Sequence, residues 1–187
     1  MSWQDVTERH YWLADKHGKL GAMNFIESLQ NFVLGLPEPV QFIGVALAAM
    51  VPFVENYGAV VIGSVAGIPI WVAVVMAIVG NLAVVALITL ISGRTRDAIV
   101  ARKHGTAEVP VADSPSTARV RKLFDRYGIP GVTLLGMLVV PTHLIAATLV
   151  SFGLSRTGVL VWQAIAITLY AGVAGGLMYG VSSLVGA

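Results

Sequence analysis

A run of 25 residues, IPIWVAVVMAIVGNLAVVALITLIS at positions 68–92, contains no charged side chain. An α-helix needs about 20 apolar residues to cross the hydrocarbon core of a bilayer, so this run predicts a transmembrane helix. Residues 158–183 predict a second one, and each run has a tryptophan near its start, Trp71 or Trp162, of the kind that lies at a membrane surface. The whole chain is 56% hydrophobic and only 12% charged, against about 25% charged in a soluble domain. We therefore expect an all-α integral membrane protein.

Two further apolar segments are each interrupted by a proline that is closely followed by an ionisable residue. The first has Pro52 and Glu55 in AAMVPFVENYG, and the second has Pro141 and His143 in LVVPTHLI. The apolar arms of the first segment are roughly ten residues long, too short to cross a bilayer alone at about 1.5 Å per residue. Backbone groups freed by a break are tolerated at membrane depth only inside protein or beside water. The breaks therefore predict a polar cavity, and we expect them to face each other.

Glu55 and His143 are the ionisable residues closest to these breaks. A carboxylate without a partner in lipid takes up a proton, and histidine titrates near neutrality. We therefore expect Glu55 to carry protons and His143 to be its modulating partner. Simpler roles are open as well: Glu55 can cap a helix that starts at Asn56, and Thr142 or His143 can simply start the helix that follows Pro141, with Thr142 as its cap.

Asn81 is a polar residue inside the first predicted span. It either lines the transport pathway or hydrogen-bonds to a neighbouring helix. The residues that we assign to the breaks and the pathway, besides Glu55 and His143, are Pro52, Asn56, Asn81, Pro141 and Thr142.

Positive charge is concentrated between the two halves of the chain. Residues 93–127 hold eight of the twelve Lys and Arg residues against four acids, which predicts a cytoplasmic loop. This clustering is a topology signal, so we expect no nucleic-acid binding in spite of the net charge of +2. Arg94, Arg126 and Arg156 are most simply topology anchors, and each can also contact an anionic lipid headgroup.

Residues 1–38 form an N-terminal segment that is polar to amphipathic, without the apolar core of a secretory signal peptide. Apolar side chains recur every three or four positions from Leu20 to Leu36, which predicts a helix on a membrane or protein surface, ended by the prolines of LPEP. Residues 39–187 are expected to form a single membrane domain. Its parts are a first repeat at 39–92, the cytoplasmic basic loop at 93–127 and a second repeat at 128–187.

The two repeats carry the same features in the same order: an apolar arm, a proline, an ionisable residue, a second short arm and a span led by tryptophan. If each broken segment is a re-entrant hairpin, the halves run in opposite directions; if each crosses fully, they run parallel. Arg156 favours hairpins, because they return it to the cytoplasmic side. The predicted fold is therefore two inverted repeats, each a re-entrant helical hairpin plus a transmembrane helix, preceded by an N-terminal amphipathic helix.

Enzymatic chemistry finds little support in the sequence. The chain has no cysteine, which excludes disulfides and thiolate chemistry, and its four histidines are scattered. It contains no glycine-rich phosphate loop and no nucleophile elbow. We expect no enzyme, no cofactor and no metal site.

The string VPFVENYGAVVIGSVAGIPIWVAVVMAIVGN combines a Pro-x-x-Glu break with Gly80 and Asn81 in the following span. It resembles the first half of the small multidrug export protein family. FDRYGIPGVTLLGMLVVPTHLIAATLVSFG resembles the second half of that family and, more distantly, the DedA-like membrane proteins. The resemblance covers about residues 40–183. It implies two membrane-embedded hairpins in inverted repeats and export of small molecules, and the DedA-like relatives add polyprenyl-phosphate carriers and proton coupling. Glu55 matches the acidic residue of the first hairpin.

Three functions stay open from the sequence. The leading one is proton-coupled export of small molecules or drugs through a site between the two breaks, in the bilayer of a bacterial inner (plasma) membrane that the chain crosses more than once. The second is a flippase for an anionic polyprenyl-phosphate lipid, and the third is an accessory or structural subunit. Two spans and two hairpins make a small wall for a pathway, so we expect a homodimer or larger assembly. One candidate interface is the glycine-rich last span, with Gly172, Gly175, Gly176 and Gly180.

Overall fold

A computed structural model describes residues 25–102 and 114–186, which form helices joined by short turns and contain no strand. The start of the predicted amphipathic helix at Leu20 and Met23, and the middle of the basic loop, lie outside these residues. The elements in chain order are α1 (Phe25–Leu34), a 3-10 turn (Glu38–Val40), α2 (Gln41–Ala49), α3 (Glu55–Val65), α4 (Ile70–Arg102), α5 (Pro115–Gly136), α6 (Thr142–Ser151) and α7 (Arg156–Val185).

Helices α4 and α7 contain 33 and 30 residues. Both are long and apolar enough to cross a membrane, which indicates a membrane protein. The short helices α2, α3 and α6 correspond to the predicted arms on either side of the two breaks. In chain order each half therefore ends with a short helix, a turn and a long apolar helix.

The predicted basic loop at 93–127 differs from the structure, because both of its ends are helical. Helix α4 continues through Arg94 and Arg96 to Arg102. Helix α5 begins at Pro115, where the Ser114 side chain accepts a hydrogen bond from the backbone N–H of Thr117. A serine cap followed by proline is a strong helix start, and here it outweighs the polar composition that indicated a loop.

A kink at Gly128 divides α5 into a basic part and an apolar part. Gly128 has φ of +65°, a conformation that glycine adopts without steric cost. Beyond it, Val132, Thr133 and Gly136 are buried. The predicted start of the second repeat at residue 128 coincides with this kink.

Helix α1 meets the segment formed by the 3-10 turn and α2 at 117°. The bend follows Leu36, because Pro37 and Pro39 lack the backbone donors that would continue a helix. Val33 of α1 is fully buried, while Phe25 and Ile26 are about half exposed. Within its described residues α1 is therefore a surface helix with one packed side.

The apolar interior consists of two clusters, one for each half. The first is built mainly from α2, α3 and the start of α4 and also contains Ala171 and Ala174 of α7. The second is built mainly from α5, α6 and the first half of α7 and also contains Val85 of α4. Helix α3 also packs against α7, and α6 against α4. Each long helix therefore contributes to the core of the other half.

Two glycines allow close helix contacts. A side chain at Gly80 of α4 would collide with the backbone carbonyl of Ala46 in α2, and one at Gly175 of α7 would press on Val74 of α4. Gly80 therefore lets α2 lie directly against α4 beside Asn81.

We predict that Gly80→Ala destabilises the protein by about 1–3 kcal/mol, because the added methyl group forces α2 away from α4. Val79→Ala is the matched control, because Val79 directly precedes Gly80 on α4 and is 51% exposed. Thermal unfolding in detergent measures both. Equal midpoints for the two variants would contradict the close contact.

Candidate functional site

The first break, residues 50–54, ends in an unusual backbone conformation. Phe53 has φ of +69° and Glu55 has φ of +53°, and these are the two non-glycine residues with positive φ in the described chain. Such conformations cost on the order of 1–3 kcal/mol each and persist where the surroundings enforce them. At Glu55 the surroundings are a set of hydrogen bonds made by a fully buried carboxylate.

The second break, residues 137–141, ends at the N-terminus of α6. Pro141 is the N-cap residue, and it offers no side-chain cap to the helix. The first backbone N–H groups of a helix have no intrahelical partner, and together they give this end a partial positive charge. Helix α6 thus starts inside the protein with a free donor at Thr142, which is fully buried.

Glu55 supplies the missing acceptor. Its Oε1 accepts a hydrogen bond from the backbone N of Thr142 at 2.5 Å and lies 3.1 Å from the Thr142 hydroxyl. The carboxylate of the first break therefore caps the helix that follows the second break. Neither expected local cap forms: α3 has no side-chain cap from Glu55, and Thr142 is the first residue of α6, with its hydroxyl turned to Glu55.

Asn81 of α4 completes this contact. Its Oδ1 lies 3.1 Å from the Thr142 hydroxyl, and its Nδ2 has no partner among the described residues. A threonine hydroxyl has one proton and cannot donate to two acceptors at once. Both contacts become hydrogen bonds when the amide is turned over, so that Asn81 Nδ2 donates to Thr142 Oγ1 and the hydroxyl donates to Glu55 Oε1.

Helix α7 holds both breaks through two side-chain amides. Asn56 Nδ2 donates to the backbone carbonyl of Ile167 at 2.5 Å, and Gln163 Nε2 donates to the carbonyl of Thr142 at 3.3 Å. Gln163 and Ile167 are one helical turn apart, so the two contacts follow one face of α7. Gln163 is fully buried and was not among the predicted site residues. Its signal in the sequence is a lone amide inside an apolar span, like Asn81.

His143 lies beside the carboxylate without bonding to it. Its Nδ1 is 4.0 Å from Glu55 Oε1 and has no hydrogen-bond partner among the described residues. The side chain is 11% exposed. The distance is too long for a hydrogen bond but short enough for a charge on either group to affect the other.

The two prolines differ in position. Pro141 is buried and lines a cavity of about 60 Å³ together with Phe53, Glu55, Tyr57 and the turn before α6. Pro52 is exposed and is not among the residues that line this cavity. The structure therefore brings Glu55, Asn81, Pro141 and Thr142 together, with Asn56 and His143 adjacent, and leaves Pro52 outside.

The three predicted headgroup arginines lie away from this cluster. Arg156 forms an ion pair with Asp97 of α4, and Arg126 stacks over Tyr127 with its guanidinium carbon 5.2 Å from the ring centre. Arg94 is exposed on α4. The ion pair partly neutralises Arg156 and ties the start of α7 to α4.

The cluster combines donors and acceptors that are not all matched. Glu55 Oε2, Asn56 Oδ1, His143 Nδ1 and Gln163 Oε1 are buried and have no hydrogen-bond partner among the described residues. Buried polar groups in proteins are usually paired, and unpaired ones call for an explanation in function. No group of three His, Asp or Glu side chains that could hold a metal occurs in the described residues. The cluster can therefore hold or release a proton, and its unpaired carboxylate and amide oxygens can accept hydrogen bonds from a small polar group.

Comparison of the chain with protein-family models, with curated proteins and with solved structures gives no match.

We predict that Thr142→Val, which keeps the shape of the side chain, destabilises the protein by about 1–3 kcal/mol, because it leaves the buried Asn81 amide without its partner and removes one of the two hydrogen bonds to Glu55 Oε1. Thr148→Val is the control on the same helix, since the Thr148 hydroxyl bonds only to the carbonyl of Leu144 one turn earlier. Chemical denaturation followed by circular dichroism compares them. If Thr148→Val loses as much stability as Thr142→Val, the hydrogen bonds of the Thr142 hydroxyl make no special contribution to stability.

Proposed function

We propose that the chain is a proton-coupled membrane transporter that exports small molecules or drugs through a site between the two helix breaks. One observation carries this proposal: a fully buried carboxylate, Glu55, is bound by the N-terminus of α6 across the interface between the two halves. Ionisable groups at membrane depth are costly and are characteristic of proton and ion pathways. The resemblance to the small multidrug export protein family agrees with it.

The contact can couple protonation to movement. A charged Glu55 accepts hydrogen bonds from the backbone and the hydroxyl of Thr142, and it faces the positive end of α6. A hydrogen bond to a charged group is stronger than a neutral one by on the order of 1 kcal/mol. A protonated Glu55 therefore holds α6 to α3 less strongly. When both bonds lose the contribution of the charge, the equilibrium between the form in which α6 is bound to Glu55 and the form in which it is released shifts more than tenfold. A free-energy difference of about 1.4 kcal/mol already corresponds to a factor of ten.

We propose that the two halves are inverted repeats and that each broken segment is a re-entrant hairpin. The arms on either side of the first break, α2 and α3, have nine and eleven residues, too few for either to cross a bilayer. The reciprocal packing of α3 on α7 and of α6 on α4 is the arrangement that such a pseudo-symmetry produces. This topology places the arginines of α4, α5 and the start of α7 on the cytoplasmic side of a bacterial inner membrane.

We also propose that the protein is a homodimer, because two long helices and two broken segments are few helices to surround a transport pathway. Gly172, Gly176 and Gly180 follow one another at intervals of four along α7, and a side chain built at any of them would meet nothing within 4 Å. Small residues at this spacing let membrane helices approach closely.

The two other functions have less support. A flippase for an anionic lipid carrier would need free arginines at the site, yet Arg156 is paired with Asp97 and Arg126 lies over Tyr127. An accessory subunit needs no unpaired buried carboxylate oxygen, whereas Oε2 of Glu55 has no partner among the described residues. We therefore keep both as outcomes of the test below.

We predict that the native protein in liposomes releases protons across the membrane when a lipophilic cation is supplied, and that Glu55→Gln abolishes this proton flux. Glutamine keeps an acceptor for Thr142 but cannot carry a proton. A pH-sensitive dye trapped in the vesicles measures the flux. Glu38→Gln is the matched control, because Glu38 is an exposed acid in the turn before α2.

A short polyprenyl phosphate is offered to the same vesicles. If only the polyprenyl phosphate produces proton flux, the protein is a lipid flippase and not an exporter of small molecules. Absence of flux with both compounds, in a native protein that is folded and correctly inserted, would leave the accessory-subunit function.

A further inference from the structure

A second, larger cavity lies next to the site. It has a volume of about 360 Å³ and is formed between α1 and α3. Its walls are almost entirely apolar: α1 contributes Phe25, Ile26 and Gln30, and α3 contributes Tyr57, Gly58 and Val61. This volume is within the range of small-molecule sites, which are mostly apolar with a few polar groups.

The two cavities share part of their walls. Phe53 and Tyr57 line both the large apolar cavity and the cavity of about 60 Å³ that reaches Glu55. The aromatic side chains of Phe53 and Tyr57 therefore lie at the boundary between the larger space and the cavity that Glu55 lines. A molecule long enough to pass them would have its apolar part between α1 and α3 and its end at Glu55.

Phe53 is the most exposed residue of this boundary. Its ring is 74% exposed, and its backbone has positive φ, which a bulky side chain rarely adopts. The position of Phe53 is therefore determined by the backbone of the first break, because its side chain is not held by packing.

The charge of the residues around the small cavity determines which end group of a ligand can bind there. Glu55 is the only acid that is buried in the described chain, and residues 39–93 contain no Lys or Arg. A cation near a desolvated carboxylate is strongly favoured, an anion is repelled, and a neutral alcohol gains only a hydrogen bond.

We propose that the two cavities together bind an amphiphilic cation, with its apolar body between α1 and α3 and its ammonium group at Glu55. This names the substrate class of the transporter and rests on the proposed function for its physiological meaning. Binding itself is a separate property of the cavities and needs no proton gradient.

Equilibrium binding of decyltrimethylammonium tests this proposal. The full chain is placed in nanodiscs of neutral phosphatidylcholine, and empty nanodiscs subtract the probe that dissolves in lipid. Val61→Phe fills the large cavity and should weaken binding about tenfold, the effect of a poor fit in an apolar pocket. Val65→Phe is the matched control, because Val65 is one turn further along α3 and outside the cavity wall.

Two further measurements keep the test decisive. Ile26→Phe narrows the cavity from the α1 wall and should weaken binding in the same way if Val61→Phe fails to fold. Glu55→Gln should lower the affinity for decyltrimethylammonium to that for decanol, since the preference for the cation comes from the carboxylate.

Equal affinity of the native protein for the cation and for decanol would overturn the proposal and assign the cavity to a lipid tail. Unchanged binding in both cavity-filling variants would overturn it as well. Binding as expected without proton flux in liposomes would refute transport and leave the site intact. Flux that is insensitive to Val61→Phe would refute this site and leave transport intact.

Discussion

Helix α6 begins inside the protein, so that the backbone N–H of its fully buried first residue, Thr142, needs an acceptor from the protein itself. Pro141 provides no cap, and an unpaired buried donor costs about 1–3 kcal/mol. The acceptor comes from Glu55, 87 positions earlier in the chain, which holds the start of α6 against the start of α3. The same hydrogen bond lowers the free-energy cost of burying the Glu55 carboxylate, which is high for a carboxylate that has no partner. Each half therefore contains a group that is unstable by itself, and the two become stable only when the breaks meet.

The remaining polar contacts follow from that meeting. Asn81 of α4 hydrogen-bonds Thr142, and Gly80 beside it leaves room for α2. Asn56 and Gln163 connect the first and second breaks to one face of α7. The strained φ of Glu55 is maintained by these contacts, because releasing it would separate the carboxylate from the helix that it caps. The long helices α4 and α7, which are long and apolar enough to cross a membrane, thus also position the two breaks.

Much of this arrangement follows from the sequence, since long apolar runs predict α4 and α7, and proline with an ionisable residue predicts where the helices break. The expectation that the breaks face each other agrees with the contact between Glu55 and Thr142. The sequence leaves local capping by Glu55 or Thr142 open as a simpler role. The structure instead has Glu55 capping a helix that begins 87 positions later, a long-range contact that local capping rules do not predict. Gln163 was missed because one amide in an apolar span looks like an ordinary helix contact. Pro52 ends α2 by its own geometry and needs no place in the polar cluster.

Helix α1 lies outside the repeated order of elements, yet it contributes to the space around the first break. Phe25, Ile26 and Gln30 face α3 across a cavity of about 360 Å³, whose lining residues all belong to the first half. The two breaks are therefore unequal: one supplies the carboxylate and an apolar cavity beside it, and the other supplies the N-terminus of a helix. A ligand that approaches Glu55 from the apolar side meets Phe53 and Tyr57 before it meets any group of the second half. In the transporter proposed above, α1, α3 and the first break would therefore set the selectivity of the site, and the bond to α6 would set its opening.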